Sequence, residues 1–245
     1  MNGEDKMQLE RIDKIISSQG LYSRKDVKTI IRKGRVTVNG KCVKNSDIKV
    51  NVETDIITVS GEKLIYKKYI YVMMNKPGGV ISASRDKNAK TVLDLLPENL
   101  FREGLFPAGR LDKDTEGFVL ITNDGDLAHR ILSPRNHVPK TYIAVIDKPV
   151  DDSIIEAFRN GVVLSEETVC KSAELRVLES GEYHKVEVII SEGMYHQIKR
   201  MFLHFGIKVM YLKRTRIGYL DLDPDLGAGE SREIVDKEIE KLLCK

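Results

Sequence analysis

At 245 residues the chain can bury one large core, or a large and a small one, and its 41% apolar and 31% charged residues suit a globular protein in water. The net charge of +3 is too small to argue for nucleic-acid binding from the total, so that case must rest on where the cations sit. Cys42, Cys170 and Cys244 lie far apart with no Cys-x-x-Cys pair, Met1–Lys6 is polar, and no apolar run approaches a membrane span. No disulfide framework, zinc site, signal peptide or anchor is indicated, and a reducing, cytoplasmic setting is expected.

Leu9, Ile12, Ile15 and Ile16 recur at helical spacing before Gly20 and predict a first short helix. Ser23 and Asp26 form a capping box for a second helix that Gly34 ends, with Val27, Ile30 and Ile31 as its apolar face. At 100° per residue Arg24, Lys25, Lys28 and Arg32 share about a third of the circumference beside that face and make a cationic ridge. Arg35–Val38 and Lys41–Val43 alternate as strands around Asn39-Gly40, a strong hairpin signal, and Asp55–Val59 adds a strand before Ser60-Gly61. Two short helices, Ser23-Arg24-Lys25 and the stretch Gly34–Gly40 together resemble the α-L RNA-binding module of a small-subunit ribosomal protein and several RNA-modifying enzymes. That resemblance implies that Arg24, Lys25, Lys28, Arg32 and Arg35 contact phosphates, a source of salt-dependent affinity with little sequence discrimination. From charge alone, a solvated face explains the ridge equally well.

Lys67-Lys68 marks a linker, dividing a small domain over 1–66 from a larger one over 67–245. Tyr69–Met74 reads as a strand broken at Asn75-Lys76-Pro77-Gly78-Gly79, and Thr91–Leu96 as a short helix stopped by Pro97. Phe118–Thr122 is an apolar strand, followed by a turn at Asn123-Asp124-Gly125 and a helix over Asp126–Leu132 that Ser133-Pro134 ends. Strands are expected at Lys140–Val145, Ala173–Leu178, Lys185–Ser191, Val209–Leu212 and Ile217–Leu222. Helices are expected at Asp151–Asn160, from Gln197 to Gly206, and at the end, carrying Ile234, Val235, Ile239 and Leu242. Elements without regular alternation, several strand pairs being close in sequence, predict an α+β domain around a mixed, mostly antiparallel sheet with flanking helices.

The stretch Gly109-Arg110-Leu111-Asp112-Lys113-Asp114-Thr115-Glu116-Gly117 organises this domain: two glycines bracket a turn crowded with carboxylates and cations, and an apolar strand anchors one end. Gly-Arg-Leu-Asp with Thr115 and Gly117 resembles the catalytic motif of the pseudouridine synthases, which isomerise uridine in RNA. The opening Asn75-Lys76-Pro77 and the second diagnostic stretch, Gly193-Met194-Tyr195-His196-Gln197-Ile198-Lys199-Arg200-Met201-Phe202, are similar to the same family, and the resemblance runs from about Leu9 to Leu243. It implies the pseudouridine synthase fold. With Ser133–His137 the second stretch looks most like the RsuA type, which acts on one uridine of small-subunit (16S) ribosomal RNA.

Breaking a glycosidic bond and re-forming it through ring carbon 5 needs a carboxylate at the sugar, a group that removes the carbon-5 proton, and a cation that keeps the carboxylate ionised in a desolvated site. The chemistry requires no cofactor or metal. The resemblance implies Asp112 as nucleophile or base at the ribose, Lys199 as its cation, and Tyr142 of Lys140-Thr141-Tyr142 against the target base. It places Ile198 under that base, Arg110 in the gap left by the flipped uridine, Arg200 among the substrate contacts, and His196 in ordering the turn. Asp114 and Glu116 invite a paired-carboxylate glycosidase reading, but a capping role is commoner for carboxylates in such turns. The histidines at 129, 137, 184, 196 and 204 lack metal-ligand spacing. Met194 stands where the family pattern leads one to expect Arg or Lys. Alternatives are the same chemistry on large-subunit (23S) RNA, whose enzymes tend to read Asn-Arg-Glu in place of Tyr195-His196-Gln197, and a non-catalytic RNA-binding assembly factor, expected to have lost Asp112, Tyr142 or Lys199. The expected partner is ribosomal RNA in a small-subunit assembly intermediate, met by a monomer.

Overall fold

The computed structural model describes residues 9–133 and 135–243; Met1–Lys6, the helix-ending Pro134 and Cys244 lie outside the described residues. The chain divides into two compact units, Met1–Tyr69 with Pro97–Gly104, and Ile70–Leu96 with Leu105–Lys245.

In the first unit β1 (Leu9–Arg11) leads into α1 (Ile12–Ser18) and α2 (Arg24–Arg32). Leu9 is therefore not helical: it pairs with Asn51 of β4 (Lys49–Asn51) and is exposed, while Ile12, Ile15 and Ile16 carry the buried stripe. The N-cap forms as read, with the Asp26 amide donating to Ser23 Oγ at 3.2 Å, whereas Asp26 Oδ2 takes the Ser23 hydroxyl at 2.6 Å and no bond from the Ser23 amide to Asp26 completes the box among the described residues. Strands β2 (Val36–Val38) and β3 (Lys41–Val43) close on Asn39 and Gly40, both at positive φ, which the turn type of a two-residue hairpin requires. Next, β5 (Ile57–Val59) pairs with β2 and with β6 (Glu62–Lys63) through a second tight turn at Ser60-Gly61. Val27 and Ile31 seal α2 against Ile12, Ile16, Val36 and Val59.

That burial leaves Arg24, Lys25, Lys28, Arg32 and Arg35 exposed, although Arg24 also meets Glu103 at 3.0 Å. Replacing Lys25, Lys28, Arg32 and Arg35 together with Gln is expected to weaken RNA binding and to flatten log K against log salt by about 0.7–0.9 for each phosphate that the ridge no longer neutralises. A filter-binding salt series checks it, and an unchanged slope would count against the ridge.

The second unit holds a mixed sheet, nine-stranded among the described residues, in the order β13-β14-β10-β15-β9-β7-β17, with β8 on β9 and β16 on β15. Its strands are β7 (Tyr71–Lys76), β8 (Phe106–Ala108), β9 (Glu116–Thr122), β10 (Lys140–Ile146), β13 (Glu174–Glu179), β14 (His184–Ile190), β15 (Val209–Ile217), β16 (Leu220–Asp221) and β17 (Ser231–Glu233). A separate small hairpin pairs β11 (Val163–Ser165) with β12 (Thr168–Val169). Among the described residues every pairing in the large sheet is antiparallel except β9 with β15. The helices are α3 (Gly125–Leu132), α4 (Asp152–Asn160), α5 (Gln197–His204) and α6 (Asp236–Leu243). Leu127 and Ile131 of α3 and Leu242 of α6 join Met73, Phe118, Leu120 and Ile217 in one buried cluster.

Several expected elements change in the structure. Thr91–Leu96 forms only a 3-10 turn at Leu93–Leu95, begun by Asp94 accepting from the Thr91 amide and hydroxyl. The two strands expected between 209 and 222 are one nine-residue strand and a short return, because Arg214 and Arg216 continue the pairing with β10. Ile234 and Val235 precede the last helix; Ile234 is buried and Val235 exposed. No helix among the described residues is long and apolar enough to cross a membrane.

Candidate active site

The Gly109–Thr115 loop runs between β8 and β9 and is fixed largely through its backbone. Lys76, at the end of β7 and fully buried, donates from Nζ to the carbonyls of Thr115 (2.7 Å), Pro77 (3.0 Å) and Lys113 (3.2 Å). Ser82 Oγ brackets Leu111 from both sides, taking its amide at 3.1 Å and giving to its carbonyl at 3.2 Å. The Gly79 amide adds a bond to the Lys113 carbonyl, and the Thr115 amide closes the turn on the Asp112 carbonyl at 3.1 Å. Burial pushes the Lys76 ammonium down to about 8, against the pull of Asp114, Glu116 and Asp112.

On the other side of the loop the sheet register aligns three residues: Gly117 opposite Arg214, and Arg214 opposite Tyr142. Gly117 has φ +98°, and a Cβ there would stand 2.2 Å from the Arg214 carbonyl oxygen, so only glycine allows β9 and β15 to meet this closely. Arg214, itself buried, donates to the Phe118 carbonyl at 2.7 Å and to the Tyr142 hydroxyl at 3.4 Å, its carbon Cζ lying 6.0 Å from the Tyr142 ring centre.

Arg110, Asp112, Tyr142, His196, Ile198 and Lys199 come together around one open cavity. Lys199 Nζ lies between two carboxylates, 3.4 Å from Asp112 Oδ2 and 2.6 Å from Asp114 Oδ1. The Lys199 hydrogen bond holds the Asp114 carboxyl below the usual range. Glu116 accepts from the Tyr211 hydroxyl at 2.8 Å. His196 enters α5 in the left-handed region (φ +49°) with Nε2 3.4 Å from Asp112 Oδ1. Arg200 is not among the cavity-lining residues; its Nη1 donates to the Tyr195 carbonyl at 3.5 Å. Met194 does line the cavity, offering a thioether where a cation was expected. Among the described residues no three His, Cys, Asp or Glu side chains are grouped so as to hold a metal ion.

The family model described as RNA pseudouridylate synthase matches residues 70–204, and an S4 domain model matches residues 10–57. The chain belongs to the RNA pseudouridine synthase family. An uncharacterized RNA pseudouridine synthase of Bacillus subtilis is 44% identical over 95% of this chain and 98% of its own length. The ribosomal small subunit pseudouridine synthase A of Escherichia coli is 41% identical over 95% of this chain and 100% of its own. A crystal structure of a pseudouridylate synthase superposes with a TM-score of 0.65 at 37% identity, covering 95% of this chain and 99% of that one.

The synthase thus carries an isomerase domain and an RNA-binding S4 domain. Motif reading quoted Lys76 and Thr115 without a role and left out Ser82 and Arg214: Lys76 and Ser82 hold the loop from beneath, Arg214 stands behind Tyr142, and the buried Thr115 hydroxyl has no partner among the described residues. The one available signal was Lys76 itself, a cation between an apolar strand and a Pro-Gly-Gly break.

Lys140 of the synthase is a further buried cation, donating to the Ile131 carbonyl at 3.2 Å. Burial, with Arg214 adding to it, brings its pKa down from 10.5 to about 8. Between those values the unfolded chain holds a proton that the folded chain lacks, so this group's contribution to stability rises with pH there, and its cost is complete below pH 8. Lys140→Met is therefore expected to gain about 1 kcal/mol at pH 7, or about 2–4 °C in Tm. The gain should shrink toward pH 10 in calorimetric scans, and a lower Tm at pH 7 would refute it.

Proposed function

We propose that the synthase isomerises one uridine of small-subunit ribosomal RNA, acting as a monomer in the cytoplasm on an assembly intermediate whose target is still accessible. The observation that carries the choice of RNA is the end-to-end likeness to the small-subunit enzyme of Escherichia coli. The target nucleotide leaves its stack and enters the cavity, and Arg110 fills the gap behind it. Asp112 acts at the ribose as the bond to the base breaks. The base turns over Ile198, bonds to the sugar through carbon 5, and loses its carbon-5 proton with the help of Tyr142. Atoms balance without a second substrate, since the proton lost from carbon 5 is matched by one gained at the freed ring nitrogen.

Electrostatics support these roles. A carboxylate enclosed by a nucleoside loses solvation, and the Lys199 ammonium at 3.4 Å offsets that loss. Asp114 shares the same ammonium at 2.6 Å. Mapping pseudouridine in both ribosomal RNAs from a strain lacking the gene tests the reading. One small-subunit position should lose its modification and regain it on complementation; loss of a large-subunit position would move the target there.

A further inference from the structure

A second, wider recess adjoins the nucleoside cavity. Ile81, Ser82, Asp86, Lys113 and Tyr195 line it, and it shares Arg110, Asp112, Met194 and His196 with the cavity. Tyr195 is 76% exposed, more than any other large apolar or aromatic side chain among the described residues, so burial does not account for its placement.

The turn that presents Tyr195 is nevertheless built firmly. Gln197, buried, takes the Met194 amide on Oε1 at 3.0 Å and gives from Nε2 to Glu192 Oε1 at 2.7 Å, and that oxygen also accepts the Lys171 amide at 2.8 Å. The Tyr195 ring stacks on His196 with centres 3.9 Å apart and planes 16° from parallel, and His196 in turn stands beside Asp112. A flat aromatic surface thus stands at the lip of the cavity, on a turn braced by the Gln197 and Glu192 side chains.

We propose that Tyr195 is the stacking platform for the nucleobase next to the target uridine, and that the recess holds that nucleotide. The inference rests on the RNA reading above. Extruding a uridine leaves two neighbours each without one stacking partner; Arg110 in the gap meets one of them, and a tyrosine face replaces the partner of the other with no demand on base identity. Lys113 supplies a cation along the recess for the adjoining phosphate, with Asp86 and Asp112 the carboxylates among its lining residues.

The test is a double-mutant cycle on small-subunit assembly particles reconstituted with RNA that carries the mapped uridine and an abasic residue at its 5′ or its 3′ neighbour. Tyr195→Ala is expected to raise KM on intact RNA about tenfold with little change in kcat, and Tyr195→Phe, which keeps the ring, to stay within about twofold of wild type. With the neighbour abasic on one of the two sides, wild type and Tyr195→Ala should become equal. A Tyr195→Ala defect of the same size on intact and both abasic RNAs, or no defect on intact RNA, overturns the platform while leaving the function standing. Wild-type enzyme that forms no product on any ribosomal RNA overturns both.

Discussion

Asp112→Asn is expected to lower pseudouridine formation by at least about 10⁴-fold while RNA affinity stays within a few-fold. The amide keeps the shape of the carboxylate and removes its charge. The rest of the site should survive the change, because Lys199 retains the ionised Asp114 at 2.6 Å and no buried cation is left unpaired. The loop keeps its path as well, since its bonds to Lys76, Ser82 and Gly79 run through backbone groups or through residues other than 112. Tritium release from RNA labelled at uridine carbon 5, under single turnover, measures the effect. Activity within tenfold of wild type would remove Asp112 from the chemistry.

Tyr142→Phe should cost about 10²–10⁴-fold in single-turnover rate, the range for losing a group that assists proton transfer. The phenyl ring keeps its place on β10 opposite Arg214, but the buried Arg214 loses the hydroxyl that accepts from it at 3.4 Å, so stability should fall by about 1–3 kcal/mol while RNA affinity hardly moves. The specific signature is isotopic. With the phenol gone, removal of the carbon-5 proton becomes slower than the steps before it, and deuterium at that carbon should slow the variant more than the wild type. A loss of rate without an increased isotope effect would give Tyr142 a binding role instead.

Local chemistry was legible wherever a few neighbouring residues decide it. The Ser23 and Asp26 cap, the Asn39-Gly40 turn and the apolar run of β9 all stand as the sequence reading placed them. Leu9 shows the limit: helical spacing alone does not count against a strand, and pairing with Asn51 won. The cavity residues were named from their motifs, Lys199 beside Asp112 among them, yet most of the other side chains that hold the loop were not. Lys199 reaches Asp114 across 85 positions and Lys76 reaches Thr115 across 39, distances over which neither spacing nor periodicity carries information. Arg214 sits in a run, Lys213–Arg216, that reads as surface charge, and only its register opposite Tyr142 and Gly117 takes it inside.

Because the lysine under the loop grips carbonyl oxygens, which every amino acid possesses, the path of the chain at residues 112–115 does not depend on which side chains the loop presents. Outward-facing Lys113 is therefore free to drift under selection for a new RNA without disturbing the Asp112 carboxylate. A scaffold of this kind separates where it acts from how it acts, and one buried ammonium is enough to keep the two apart.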